Sequence, residues 1–281
     1  MRAGPASPLG AGRTVANVGA NAPSDPVVVK IGGRALEGAE GAAELATALR
    51  VLAAPAVIVH GGGAEVSDWS LRLGLAPRFV AGRRVTDAAT LEVAVAVLAG
   101  LANKRLVAAL RAAGIDAIGL AALDGGVLEA VRHPDATLGA VGAIGRVQPA
   151  LLETLLAHGC VPVLASIGHA DGDLLNVNAD DLAAAVARAL HARALLLLSD
   201  VPGVLLDGTV APELTADAAL AALAGEQVQG GMRPKLEAAR AALAAGVRRV
   251  HVASWHGPMT LRALLAGEPL GTALVAEAGA S

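Results

Sequence analysis

The feature that most constrains this chain is an alternation of short apolar runs with stretches of helical period. Residues 27–31, 56–60, 117–120, 161–166, 195–198, 249–253 and 272–275 are runs of four to six mostly apolar residues. Between them, residues 34–52, 64–73, 87–113, 149–158, 179–190, 215–223 and 234–245 carry helix-type periodicity. Strands apolar along their whole length are buried on both faces, and a β-α-β-α order pairs them in parallel beneath two layers of helices. The expected fold is therefore α/β, a three-layer α-β-α sandwich with a mostly parallel open sheet. Segments 78–80 and 84–86 read as one short hairpin, 127–131 and 143–147 as another, with 174–177 as a further arm. In such sheets the site lies beyond the carboxyl ends of the strands.

A chain of 281 residues suits one large domain, or two lobes sharing a sheet. Cys160 is the single cysteine, so no disulfide can form within the chain, and a reducing, cytoplasmic setting is expected. A net charge of −3 without a basic run argues against nucleic acid and anionic membranes as partners. The hydrophobic content of 54% raises the question of a membrane span, but no run of 18 uncharged apolar residues occurs. The longest helical stretch, 87–113, carries Asp87, Glu92, Lys104, Arg105 and Arg111, and reads as amphipathic with Asn103 and Lys104 on a solvated face. Residues 1–25, rich in Gly, Ala, Pro and Asn, lack an apolar signal core and read as a disordered extension.

Three glycine-rich turns offer backbone N–H groups at the starts of helices, where phosphate oxygens can be held. Lys30-Ile31-Gly32-Gly33 ends the first strand with a lysine, which reads either as a phosphate contact or as a snorkelling surface side chain. His60-Gly61-Gly62-Gly63 ends the second strand; His60 has no metal-ligand spacing around it and reads as a hydrogen-bonded structural histidine. Gly230-Gly231-Met232-Arg233-Pro234-Lys235 places a lysine near a helix start, and no Walker A pattern accompanies it. In Arg83-Arg84 the two side chains of an extended segment point to opposite faces, so one can clamp a carboxylate while the other meets solvent. Asn178, before Asp180 and Asp181, is a natural helix N-cap, which leaves Asn176 and Asp180 unexplained by capping. No Ser-His-Asp or Cys-His arrangement and no resident metal site is expected.

Taken in order, Lys30-Ile31-Gly32-Gly33, His60–Gly63, Arg83–Asp87, Asn176–Asp180, Leu198-Ser199-Asp200-Val201 and Gly231–Lys235 resemble the acetylglutamate kinases of the amino-acid kinase family. The likeness covers about residues 27–275. It implies ATP-dependent phosphorylation of the side-chain carboxylate of N-acetyl-L-glutamate in arginine biosynthesis, with Mg²⁺ held mainly by the nucleotide. By the same resemblance Lys30 and Lys235 stabilise the transferring phosphoryl group, and Asp180 holds the two lysines. Gly62, Gly63, Arg84 and Asn176 take the acidic substrate. Gly33, Asp200, Val201, Pro202, Gly203, Val204, Leu205, Val228 and Gln229 take the nucleotide. Residues 26–175 would form a lobe for the amino-acid substrate and for dimerisation, and 176–281 a lobe for ATP. The family carries one arginine after an apolar residue where this chain has Arg83-Arg84; alignment on Val85-Thr86 assigns Arg84 to the substrate. The stretch from Val252 through Thr272 is similar to the arginine-insensitive branch, so a homodimer without arginine feedback is expected. Two other readings are a sister kinase acting on an N-modified aminoadipate in lysine synthesis, and a non-catalytic amino-acid-binding module.

Overall fold

Strand β1 (Val27–Ile31) shows how the sequence sets the layers. All five residues are buried, and the pleat alternates their side chains between two faces. Val27, Val29 and Ile31 pack with Leu45, Leu49, Leu106, Leu110 and Leu261 on one side. Val28 packs with Leu182, Val186, Leu236 and Ala239 on the other. Lys30 shares the second face with Val28. The computed structural model of the chain describes residues 25–32, 38–52, 54–225, 228 and 230–276.

From β1 the chain runs through α1 (Gly38–Leu52), β2 (Ala56–His60), α2 (Gly63–Arg72) and the short hairpin β3 (Phe79–Val80) and β4 (Arg83–Arg84). A long helix follows, built of α3 (Ala88–Val95), a π-helical segment (Ala96–Ala102) and α4 (Asn103–Ala112). Then come β5 (Ala117–Ala121), β6 (Leu128–Arg132), β7 (Val141–Val147), α5 (Ala150–Ala157), β8 (Val161–Ala165), β9 (Ile167–Ala170), β10 (Asp173–Val177) and α6 (Ala179–Ala189). The last part holds β11 (Ala194–Ser199), β12 (Leu205–Leu206), β13 (Thr209–Val210), β14 (Glu213–Thr215), α7 (Ala216–Ala224), α8 (Met232–Ala244), β15 (Val250–Ser254), α9 (Thr260–Ala266) and β16 (Thr272–Val275).

Eight strands form the main sheet in the order β14-β16-β15-β11-β1-β2-β8-β5. Neighbours are parallel apart from β15 and β16. Helices α1, α4 and α9 lie on one face and α5 to α8 on the other, which is the expected three-layer α/β sandwich. A second sheet of four strands, β6-β7-β10-β9, stands beside it. The first turns of α2 and α6 and the ends of β1, β2 and β8 meet at one edge.

Several details depart from the sequence reading. Helix α8 begins at Met232, so Pro234 lies inside its first turn, where the absent N–H leaves no bond unmade. The hairpin at 78–86 pairs only Phe79 with Arg84 and Val80 with Arg83; Thr86 instead bridges to Gly139. By length and composition the helix Ala88–Ala112 is one that could cross a membrane. Here Val93, Ala94, Val97, Leu98, Leu106 and Leu110 are buried within the domain. Asn103, expected on a solvated face, is fully buried, because it bonds beneath the sheet. Gly33, Gln229, the start of the 34–52 helix and residues 1–24 of the expected extension lie outside the described residues.

Candidate active site

At the carboxyl ends of β1, β2 and β8 a cavity opens. Its wall includes Lys30, the Gly61–Gly63 turn, Arg83, Arg84, Asn176 and Asp180. The pleat of β1 sends Lys30 toward α6, and the cap of α6 sets what it meets. Asn178 accepts N–H bonds from Asp180 at 2.8 Å and Asp181 at 3.0 Å. This fixes the first turn and leaves the Asp180 side chain free to turn toward β1.

Asp180 sits between two lysines. Lys30 Nζ lies 3.0 Å from Oδ1 of Asp180, and Lys235 Nζ lies 3.0 Å from Oδ1 and 3.2 Å from Oδ2. All three residues are buried, with 8%, 6% and 5% exposure for Lys30, Asp180 and Lys235. Burial opposes ionisation of Asp180, but the two ammonium groups and their hydrogen bonds outweigh it and hold the carboxyl below its usual range. Burial, with the nearby Lys30 charge, pushes Lys235 down to about 8 against the pull of Asp180. Two cations on one anion leave a local excess of positive charge, which suits an anionic ligand.

Arg84 forms the opposite wall. Its Nη2 donates to the Gly63 carbonyl at 2.6 Å and to Ser67 Oγ at 2.7 Å, and its guanidinium stands 4.8 Å from the Phe79 ring centre. Its Nη1 is buried and has no hydrogen-bond partner. A buried charged donor without an acceptor is costly, and the residue that carries it lines the cavity. Asn176 donates to Thr86 Oγ1 at 3.1 Å, and Thr86 in turn donates to the Arg84 carbonyl at 3.1 Å. This chain ties Asn176 to the arginine strand. Arg83 does not meet open solvent as one reading of the pair had it; it is held at 2.8 Å by Asp181, because the hairpin folds back over α6.

Gly62 is needed for close approach: a Cβ there would stand 2.7 Å from Leu98 Cδ2. Leu98 belongs to the π-helical segment, whose wide turn brings it against the glycines. His60, fully buried, has Nδ1 2.8 Å from the Gly61 carbonyl and Nε2 3.1 Å from Asn103 Nδ2. That is the structural role expected of it.

Among the described residues, those assigned to the nucleotide, Asp200 to Leu205 and Val228, do not line this cavity. Asp200, Val201, Pro202 and Gly203 form the loop after β11, and Leu205 begins β12. Val204 is fully buried, its N–H donating to Thr272 Oγ1 at 2.8 Å, and Val228 is also buried. Their side chains belong to the core, which leaves the surface of this loop to Asp200, Val201, Pro202 and Leu205. Sequence reasoning missed Ser166 and Thr86 as cavity neighbours or supports, and Asn103 beneath it, and it gave Arg83 no role once Arg84 was assigned. Asn103 had a signal, a polar pair with Lys104 in an otherwise apolar helix.

Comparison with known proteins places these features in context. The model of the amino acid kinase family matches residues 25–254. An acetylglutamate kinase of Methanopyrus kandleri is 46% identical over 245 residues, spanning 82% of this chain and 95% of that protein. Among solved structures, smu.665 of Streptococcus mutans superposes with a TM-score of 0.79 at 30% identity, over 89% of this chain and 98% of that one. Giardia carbamate kinase has the same fold, with a TM-score of 0.66 at 14% identity, over 90% of this chain and 99% of that one.

Proposed function

The chain belongs to the amino acid kinase family, and on that basis we propose that it transfers the γ-phosphoryl group of ATP to the side-chain carboxylate of N-acetyl-L-glutamate, giving N-acetylglutamyl 5-phosphate and ADP. The observation that carries the reading is the unpaired, buried Nη1 of Arg84, whose residue lines the same cavity as Lys30 and Asp180, with Lys235 paired to that Asp180. An acid with two carboxylates has a use for both walls. One carboxylate pairs with Arg84, and the other lies toward Lys30.

The chemistry asks little of a base. A glutamate side chain has a reference pKa of about 4.3, so the nucleophile is already ionised at neutral pH. Its oxygen forms a bond to Pγ while the bond from Pγ to the bridging oxygen breaks, and the electron pair leaves on ADP. The barrier lies in bringing two anions together in line. Lys30 and Lys235 offset that repulsion and the charge that develops, while Asp180 keeps both ammonium groups aimed. Gly62 and Gly63, at the first turn of α2, offer N–H groups to oxygen, and Asn176 contacts the acid. The loop from Asp200 to Leu205, with Gly33, Val228 and Gln229, takes the nucleotide. Residues from about 26 to 175 would serve mainly the acid, and those from about 176 to 281 mainly the nucleotide. Mg²⁺ would be held by the phosphates of the nucleotide: both oxygens of Asp180 are engaged by lysines, so this carboxylate is not open to a metal. The metal would neutralise phosphate charge.

The test is ADP release with Mg²⁺ and ATP, offering N-acetylglutamate, N-acetylaspartate, N-acetylaminoadipate and aspartate in parallel. Turnover chiefly with N-acetylglutamate is expected, falling by about 10²–10³ in Lys235→Ala. Preference for the aminoadipate derivative would move the protein to a sister kinase. We further place the protein as a cytoplasmic homodimer without arginine feedback. A hexamer by sizing, inhibited on titration with arginine, would contradict that.

A further inference from the structure

The hairpin that presents Arg84 is fastened through the residue beside it. Arg83 Nη1 donates to Asp181 Oδ2 at 2.8 Å, and the two side chains are only 18% and 23% exposed. Asp181 directly follows Asp180 on the first turn of α6. At the tip of the same hairpin Gly82, with φ of 79°, lies against the Gly230 carbonyl, where a Cβ would come within 2.6 Å of the oxygen. The Gly230-Gly231 turn opens α8, which carries Lys235 in its first turn. The hairpin is therefore tied to both helices that supply the Asp180–Lys235 pair.

Its other ties run elsewhere: Arg84 Nη2 donates to the Gly63 carbonyl and Ser67 Oγ of α2, and the Thr86 N–H donates to the Leu138 carbonyl, so Arg83 is its side-chain link to α6. Each of its strands has two residues, and Phe79 and Val80 are exposed by 56% and 44%. Hairpins of that size have no stability of their own. Burial pushes the Asp181 carboxyl up, and Arg83 is the neighbour that opposes it most. Removing the guanidinium would leave a mostly buried acid without its counterion.

We propose that Arg83 is a positioning residue, whose ion pair with Asp181 locks the β3–β4 hairpin to α6 and so sets Arg84 at a fixed place relative to Lys30, Asp180 and Lys235. What Arg84 binds rests on the function proposed above; the lock itself does not.

The experiment is amide hydrogen exchange on the full chain for wild type, Arg83→Leu, Arg83→Lys and Asp181→Asn, joined to steady-state kinetics with N-acetylglutamate. Arg83→Leu and Asp181→Asn should raise exchange across residues 79–86 about tenfold, with Arg83→Lys between them and wild type and with residues 183–187 of α6 unchanged. In Arg83→Leu the KM for the acid should rise about tenfold while kcat changes less than about threefold. Unchanged exchange at 79–86 overturns the lock, and so does a rise spread evenly over α6 and the main sheet, which marks a general loss of stability. Faster exchange with an unchanged KM overturns the positioning role. A wild type that does not phosphorylate N-acetylglutamate sinks the function reading alone, because the exchange pattern still decides whether the lock exists.

Discussion

Asn103 donates through one amide nitrogen to His60 Nε2 at 3.1 Å and to the Val163 carbonyl at 2.9 Å. A single side chain from the middle of the long helix thus grips β2 and β8 just before the Gly61–Gly63 turn. Since Asn103 is the donor, Nε2 of His60 accepts, and Nδ1 carries the proton given to the Gly61 carbonyl at 2.8 Å. Burial pushes the His60 pKa down, in keeping with this neutral form. Lys104 completes the arrangement, donating to Asn103 Oδ1 at 2.9 Å and to the Gly119 carbonyl at 3.1 Å.

Replacing Asn103 with Leu should therefore cost about 1–3 kcal/mol, because the Val163 carbonyl and His60 Nε2 lose their donor in a dry site. Urea unfolding of the variant checks it. The glycine turn loses its support too, so KM for the acid should rise. Unfolding at the same midpoint as wild type would show that the polar bridge contributes nothing.

Asp180→Asn tests the central ion pairs. The substitution keeps the shape but leaves two buried ammonium groups without a counterion. Breaking a buried pair from one side typically costs about 3–5 kcal/mol. The loss should show in denaturant unfolding at neutral pH. It should shrink as pH rises and Lys235 sheds its proton. A cost that does not depend on pH would mean that charge is not the cause.

In the proposed reaction Lys235 should set a pH limit. Burial and the Lys30 charge bring it down to about 8, against a reference of 10.5. Its charged form is the one that can stabilise phosphoryl oxygens, so kcat/KM should fall as pH rises through about 8. For stability the sign is opposite. Between about 8 and 10.5 the unfolded chain holds more of this proton than the folded one, so this group's contribution improves with pH across that window. In Lys235→Arg the alkaline limb should move up, since a guanidinium stays charged. An unmoved limb would assign the titration to another group.

Much of this was legible in the sequence, and the reasons for the remainder are physical. Runs such as Val27–Ile31 and Leu195–Leu198 announce strands buried on both faces, and Asn178 announces the start of α6. Period two placed Arg83 and Arg84 on opposite faces. It could not show that α6 waits for Arg83 with Asp181, since that pairing spans distant segments. Strand β14 is three residues long, and β12 and β13 two each, too short to leave a periodic signal. Asn103 failed as a solvated residue because helical period gives a face, not what covers it. The lysines were visible as Lys30 and Lys235, but only the fold sets both within 3.0 Å of Asp180 Oδ1.

Two glycines allow backbone strain to be separated from contact at the hairpin tip. Gly82 and Gly74 have nearly the same φ, 79° and 78°. A Cβ at Gly74 would meet nothing within 4 Å, whereas one at Gly82 would lie 2.6 Å from the Gly230 carbonyl oxygen. Gly74→Ala should cost only the left-handed backbone penalty of about 1–2 kcal/mol and leave kinetics intact. Gly82→Ala carries that penalty and must also push the hairpin off the Gly230-Gly231 turn. Backbone cannot yield as a flexible side chain can, so Arg84 moves with it. A shift of about 1 Å in such a group can cost about 10²-fold in rate. Parallel melting curves and kinetics on the two variants make the comparison. Similar melting losses with a kinetic defect confined to Gly82→Ala would show that the hairpin's seat on the Gly230 turn serves the reaction. Equal kinetics in both would show that the contact is only packing.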